Sequence, residues 1–300
     1  MDTATHFSPF TLTCRGRKRT FLRPAIMGIL NVTPDSFYDG GRYLGRDEIV
    51  AHARHMLDDG ADIIDIGVVS SRPGAQLLPP DEEAGRLRPV VDLLRHTLPP
   101  DTILSVDTCY SLPAAMAVEA GADIVNDISG GQFDPQMLPT VASLRVPYIL
   151  MHTRGRPDTM QSPENTRYTD IVSDLADYFA SKLADLDRLG VREVCIDPGF
   201  GFAKTLQQNH QLLHRLPELI AAFPQHPFLV ALSNKSMITR RLPAYPPAGA
   251  SRDGGADPVR DVPDSEWGTV ILNTVALQAG ASILRVHAPH PTRIARDLLY

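Results

Sequence analysis

Three stretches of the chain share one pattern: DDGADIIDIG (58–67), EAGADIVNDI (119–128) and QAGASILRVH (278–287). Each places a glycine where a helix would end, at the cap position that favours positive φ. Ala-Asp or Ala-Ser follows, then an apolar run, then polar residues. LGVREVCIDPG (189–199) is a looser copy. A helix end that feeds a buried strand, repeated along one chain, is the pattern of an α/β fold with parallel strands.

Working outward from these copies gives eight apolar runs. They are AIMGIL (25–30), ADIIDIG (61–67), TILSVD (102–107), ADIVND (122–127), VPYILM (146–151), EVCID (193–197), FLVAL (228–232) and ASILRV (281–286). Helix-like stretches lie between them, at 46–60, 111–121, 170–190, 207–219 and 265–280. Eight strand-then-helix units predict a closed (β/α)8 TIM barrel. In that fold, catalytic groups gather at the C-terminal ends of the strands. The competing reading is an open doubly wound sheet, which the lack of a G-x-G-x-x-G after the first strand disfavours. Residues 1–23 read as an N-terminal extension, with FTLTCRG and RTFL as a candidate β-hairpin. Residues 24–300 read as a single barrel domain. The stretch 243–264, rich in Pro, Gly and Asp, reads as an irregular insertion after the seventh strand.

Composition narrows the function classes. The net charge is -6, against the basic face expected of a nucleic-acid-binding protein. No run is long and apolar enough to predict a membrane span, and the N-terminus lacks a signal-peptide pattern. Cys14, Cys109 and Cys195 are widely spaced and show no metal-ligand pattern, so a reduced, cytoplasmic chain is expected.

The strand ends form a chemical set. Asp107, Asn126 and Asp197 are acceptors and an amide that can read the donor edge of a flat heterocycle. Arg72, Lys235, Arg285 and His287 are more cations than a neutral substrate needs, and they suit phosphate oxygens. Phe37, Met151 and Phe202 can supply apolar walls. Asp127 follows Asn126 at the same mouth. His152 reads as structural, since no partners stand at zinc-site spacing. The pattern predicts a small-molecule substrate with a polar ring at one end and phosphates at the other.

As motifs, these loops resemble the dihydropteroate synthases, of the pterin-binding barrel family. The matching pieces are MGILNVTPDSFYDGG (27–41), IDIGVVSSRPGA (64–75), LSVDT (104–108) and GADIVNDISG (121–130). PYILMHTRGRPDTMQ (147–161), DPGFGF (197–202), LVALSNKSMI (229–238) and ILRVHAP (283–289) follow in the family's order. The resemblance implies a transferase of folate biosynthesis. It would join 6-hydroxymethyl-7,8-dihydropterin pyrophosphate to 4-aminobenzoate, use Mg2+ and be a sulfonamide target. It implies Asn31 as the metal ligand and Asp107, Asn126, Asp197 and Lys235 as the pterin pocket. Ile128 and Met151 belong to the same substrate-binding set. Arg285 and His287 would serve the leaving phosphates. Asp35, Phe37, Ser71, Arg72 and Pro73 would come to the aminobenzoate side on two loops, with Phe202 as the other wall. A homodimer is also implied.

Two other classes compete: a methyltetrahydrofolate–corrinoid methyltransferase and a pterin-binding paralogue without synthase activity. The chain departs from the family pattern at Val69, usually glutamate, and at Ser71, usually threonine. Further departures are Cys109 and Tyr110 after SVDT, Ala231 for glycine and Asn234 for arginine. These put loop packing and aminobenzoate affinity in question.

Overall fold

A computed structural model describes residues 7–32, 43–69, 77–241 and 264–300. It opens with an antiparallel hairpin, β1 (Phe10–Cys14) and β2 (Arg17–Phe21). Arg15 and Gly16, at φ 48° and 74°, make the tight turn, as two-residue hairpin turns require. The candidate hairpin is therefore present.

The barrel strands follow as β3 (Ala25–Asn31), β4 (Ile63–Gly67), β5 (Ile103–Asp107), β6 (Ile124–Asp127), β7 (Tyr148–Met151), β8 (Val194–Asp197), β9 (Leu229–Val230) and β10 (Ile283–Val286). All eight correspond to the predicted runs. They form one parallel sheet in the order β8-β7-β6-β5-β4-β3-β10-β9, and an Ile196–Phe228 bridge brings its two edges together. The (β/α)8-like barrel is thus nearly closed.

The helices are α1 (Tyr43–Asp58), α2 (Pro80–Thr97), α3 (Ser111–Glu119), α4 (Met137–Leu144), α5 (Ile171–Arg188), α6 (Leu206–His214), α7 (Leu216–Ala222), α8 (Ser236–Thr239), α9 (Asp264–Gln278) and α10 (Pro289–Leu299). Four of them, α2, α4, α8 and α10, lie where sequence periodicity assigned no helix. The predicted helix over 207–219 is two helices. They meet at Arg215, where Pro217 opens the second and cannot continue the first. Asp170 caps α5 through Ser173 N–H at 2.9 Å. The repeated glycines behave as the pattern required: Gly60, Gly121, Gly190 and Gly280 all have positive φ.

Strand alternation sorts the core into two shells. Outward residues, among them Ile26, Leu30, Ile64, Ile66, Leu104, Val106, Leu284 and Val286, pack in the cluster under the helices. Inward residues at the N-terminal end of the barrel form a separate cluster. Met27, Ile63, Ile103, Ile124, Ile149, Cys195, Leu229 and Ile283 meet Phe10, Leu12 and Cys14 of the hairpin there. The hairpin therefore plugs the barrel bottom. A fully buried aliphatic side chain contributes about 1.5–3 kcal/mol, so this plug is a substantial part of the core. Two residues further along β4, β5, β6, β8 and β10 the inward positions turn polar, at Asp65, Ser105, Asn126, Asp197 and Arg285, and there the site begins. No helix among the described residues is long and apolar enough to cross a membrane.

Candidate active site

Continuing the inward series from Ile63, Ile103, Ile124 and Ile283 gives Asp65, Ser105, Asn126 and Arg285. One step higher, Asp107, Met151 and Asp197 share the same parity. The tightest part of this layer is centred on Arg285. Its Nε donates to Asp65 Oδ2 at 2.6 Å, and its Nη2 donates to Asp107 Oδ2 at 2.7 Å. Asn126 Nδ2 donates to the same Asp65 oxygen at 3.0 Å. Four strands thus converge on one charge-assisted network.

Burial works against the Arg285 charge, but Asp65 and Asp107 outweigh it and raise its pKa. Asp107 is pushed up by burial, with Arg285 opposing and Asp65 adding to the rise. One guanidinium therefore stands between two buried carboxylates. Among the described residues, Asp65 Oδ1 and Ser105 Oγ have no hydrogen-bond partner. Buried groups of this kind are costly unless something satisfies them.

Asp197 and Lys235 form the second part. The Asp197 carboxylate accepts Gly199 N–H at 2.7 Å, and burial raises its pKa against the pull of Lys235. Lys235 donates to Phe200 O and lies 5.1 Å from the Phe202 ring centroid. Burial lowers its pKa to about 8, opposed by Asp197. Ser233 Oγ pairs with His287 Nδ1 at 3.0 Å, tying the ends of β9 and β10 together. Ile128, Met151 and Cys109 form an apolar cluster with Phe202, Tyr110 and Phe133 beside them. Burial raises the Cys109 thiol well above its ordinary range.

Asn31 ends β3 in register with Gly67. A Cβ on Gly67 would stand 3.3 Å from Asn31 Oδ1 and 3.9 Å from Asp107 Oδ2. Glycine thus keeps the space between these two oxygens open. Asp35, Phe37, Ser71, Arg72 and Pro73 lie outside the described residues.

Asp127 needs correction as a mouth residue, because its parity turns it outward. Its carboxylate accepts from Tyr148 OH at 2.6 Å and from the N–H groups of Ser129 and Gly131, both at 2.7 Å. It holds the loop after β6. His152 is buried, as a structural histidine would be, with its ring edge-on to Tyr178 at 4.8 Å. Sequence reading missed Asp65, Ser105 and Lys204. It stopped at strand ends, and Asp65 and Ser105 lie one inward step below. Of the departures, Val69 packs against the outer core and Ala231 joins the inner one. Asn234 sits at φ 56°, a left-handed position that asparagine tolerates better than most residues.

A nearly closed parallel barrel whose mouth combines buried carboxylates, an amide and cations defines an enzyme for a small polar substrate. A profile of the family described as Pterin binding enzyme matches residues 27–287. The dihydropteroate synthase of Synechocystis sp. is 40% identical over 275 residues, covering 90% of this chain and 86% of that protein. Other curated relatives are longer folate-synthesis proteins, of which the chain spans about a third to a half. The Xanthomonas albilineans dihydropteroate synthase with 4-aminobenzoic acid superimposes with TM-score 0.79 at 35% identity, covering 97% of both chains. The Yersinia pestis dihydropteroate synthase in a sulfonamide drug complex gives TM-score 0.80 at 36% identity, again over 97% of both. The chain belongs to the pterin-binding enzymes and, within them, to the dihydropteroate synthase family of transferases.

Proposed function

We propose that the mouth condenses 6-hydroxymethyl-7,8-dihydropterin pyrophosphate with 4-aminobenzoate, giving 7,8-dihydropteroate and pyrophosphate. The observation that carries this reading is the Asp65–Arg285–Asp107 network with Asn126 attached. It presents acceptors to a donor-rich ring and a fixed cation to the adjoining phosphates. Asp107, Asn126, Asp197 and Lys235 hold the pterin, with Ile128 and Met151 against its apolar surface. Arg72, Arg285 and His287 serve the diphosphate. Asp35, Phe37, Ser71 and Pro73 bring the aminobenzoate side together, and Phe202 is its other wall.

The reaction breaks the bond between the methylene carbon and the pyrophosphate oxygen, and the electron pair leaves with pyrophosphate. The aromatic amine forms the new C–N bond and then loses a proton. Fixed cations aimed at the leaving oxygens stabilise the charge that builds there. The amine becomes acidic as it attacks, so no strongly basic side chain is required. Excluding water removes the competing nucleophile.

The oxygen donors fit Mg2+. Asn31 Oδ1 faces the open side of Gly67, and Mg2+ is commonly held by one or two protein oxygens with substrate phosphates completing its shell. Among the described residues no group of three His, Cys, Asp or Glu side chains could form a closed protein site. When bound at Asn31 with the diphosphate, Mg2+ would neutralise leaving-group charge. The reaction is placed in the cytoplasm, to which the three buried, unbridged cysteines are suited. The protein acts as a homodimer; light scattering at micromolar concentration checks this, and a monomeric mass would contradict it.

Incubation with both substrates and Mg2+, followed by chromatography, tests the activity. The expected product is 7,8-dihydropteroate. Tight pterin binding without product would instead favour the non-catalytic paralogue. Methyl transfer from methyltetrahydrofolate to a corrinoid would favour the methyltransferase.

A further inference from the structure

The turn after β8 is held by side chains from several elements. Gly199 O and Phe202 O both accept from Lys204 Nζ, at 3.0 and 3.1 Å. Phe200 O accepts from Lys235. Gly201 O accepts from Gln161 Nε2 at 3.1 Å, and Ala203 O from Tyr168 OH at 2.9 Å. Gly201 N–H donates to Asn209 Oδ1 at 2.7 Å. Gly199 is at φ 69°, and a Cβ there would stand 2.0 Å from His152 O, so the turn is pressed onto the end of β7.

Lys204 differs from the other tethers. It is only 2% exposed, and its third partner is His152 Nδ1 at 3.1 Å. Burial and the neighbouring Lys204 charge hold His152 well below its ordinary range, so the ring is neutral and can accept. The three groups bonded to Lys204 among the described residues are therefore two carbonyls and a neutral ring. Three acceptors match the three N–H of an ammonium; burial pulls Lys204 well below the ordinary lysine range, opposed by the nearby Asp197 charge. A buried ammonium in such a setting is expensive, and removing it would leave Gly199 O, Phe202 O and the His152 ring without this donor.

We propose that Lys204 is a positioning residue for the reaction, acting with His152 to hold the Phe202 ring in place. Its Nζ clamps the carbonyls on both sides of the Phe200–Gly201 step and fastens them to the end of β7. Phe202 is thereby fixed with its ring near Lys235 and within the apolar cluster of Met151 and Ile128. The inference rests on the reading of Phe202 as the aminobenzoate wall.

The test is a double-mutant cycle on the KM for 4-aminobenzoate at saturating pterin pyrophosphate, using Lys204→Met, Phe202→Ala and the double variant. Each single change is expected to raise this KM about tenfold, the scale of a lost apolar contact in a pocket. The double variant should match Phe202→Ala within about twofold, because Lys204 acts through that ring. Lys204→Met strands two backbone carbonyls and is expected to lower the melting temperature, so KM is read well below it. A raised KM in Phe202→Ala with wild-type KM in Lys204→Met would overturn the proposal alone. So would two effects that multiply. An unchanged KM in Phe202→Ala would overturn the reading of the wall and the proposal with it. If Lys204→Met does not fold, His152→Phe, which keeps an aromatic ring but removes both ring nitrogens and with them the bond to Lys204, runs the same cycle with the same criteria.

Discussion

At the residue scale the site depends on Arg285 serving two carboxylates at once. Lysine could not replace it, since a single ammonium lacks the planar fork that reaches Asp65 and Asp107 together. Arg285→Ala would leave both acids buried without their shared cation. The expected result is a loss of kcat/KM on the order of 100-fold or more, as for removal of a preorganised charge stabiliser. A stability loss of about 3–5 kcal/mol should accompany it. Steady-state kinetics and denaturant melts measure the two, and near-wild-type values in both would refute the role. The sequence made Arg285, Asp107, Asn126 and Asp197 legible because each lies at the end of an apolar run or one residue before it. Asp65 was hidden inside such a run, although it shares the inward parity of Gly67. Asp127 was misplaced for the converse reason: it ends a strand but points outward, as alternation from Asn126 requires.

At the element scale, the first turn of α2 carries a buried carboxylate. Glu83 is 2% exposed, and burial raises its pKa from 4.5 to about 7, against a hydrogen bond from the Thr108 side chain. A carboxyl with a raised folded pKa favours the folded state fully below 4.5. That contribution is lost as pH rises through about 7. Between pH 5 and 8 the wild-type protein should therefore lose stability relative to Glu83→Gln, on the order of 3 kcal/mol. Parallel melting profiles for the two proteins would contradict this. The glycine turns allow a second comparison. Gly190→Ala meets only the conformational penalty of φ 81°, since nothing lies within 4 Å, and should cost about 1 kcal/mol. Gly199→Ala adds a collision with His152 O and should cost clearly more in the same melts. Equal costs would show that the turn moves away from β7 freely. Helix α2 was not assigned from the sequence; it opens on Pro80, ahead of the acidic first-turn residues Asp81, Glu82 and Glu83, and carries Pro89 inside it.

At the scale of the whole molecule, the barrel was legible because its repeat is physical. Each helix needs a terminating cap, each inner strand needs an apolar run, and each run must end where the chain meets the mouth. Glycines at 60, 121, 190 and 280 mark that rhythm, and all four have the expected positive φ. Long-range side-chain pairing was not legible. The Asp65–Arg285 bond joins residues 220 positions apart, and neither residue's local sequence names the other. Lys204 and His152 were similarly separated until β7 and β8 paired. The central claim is that this mouth couples departure of pyrophosphate to attack by 4-aminobenzoate. Pyrophosphate release from the pterin pyrophosphate, followed with Mg2+ in the presence and absence of 4-aminobenzoate, tests it most directly. The account predicts release that depends on the amine and matches dihydropteroate formed one for one. No release, or release at the same rate without the amine, would contradict it.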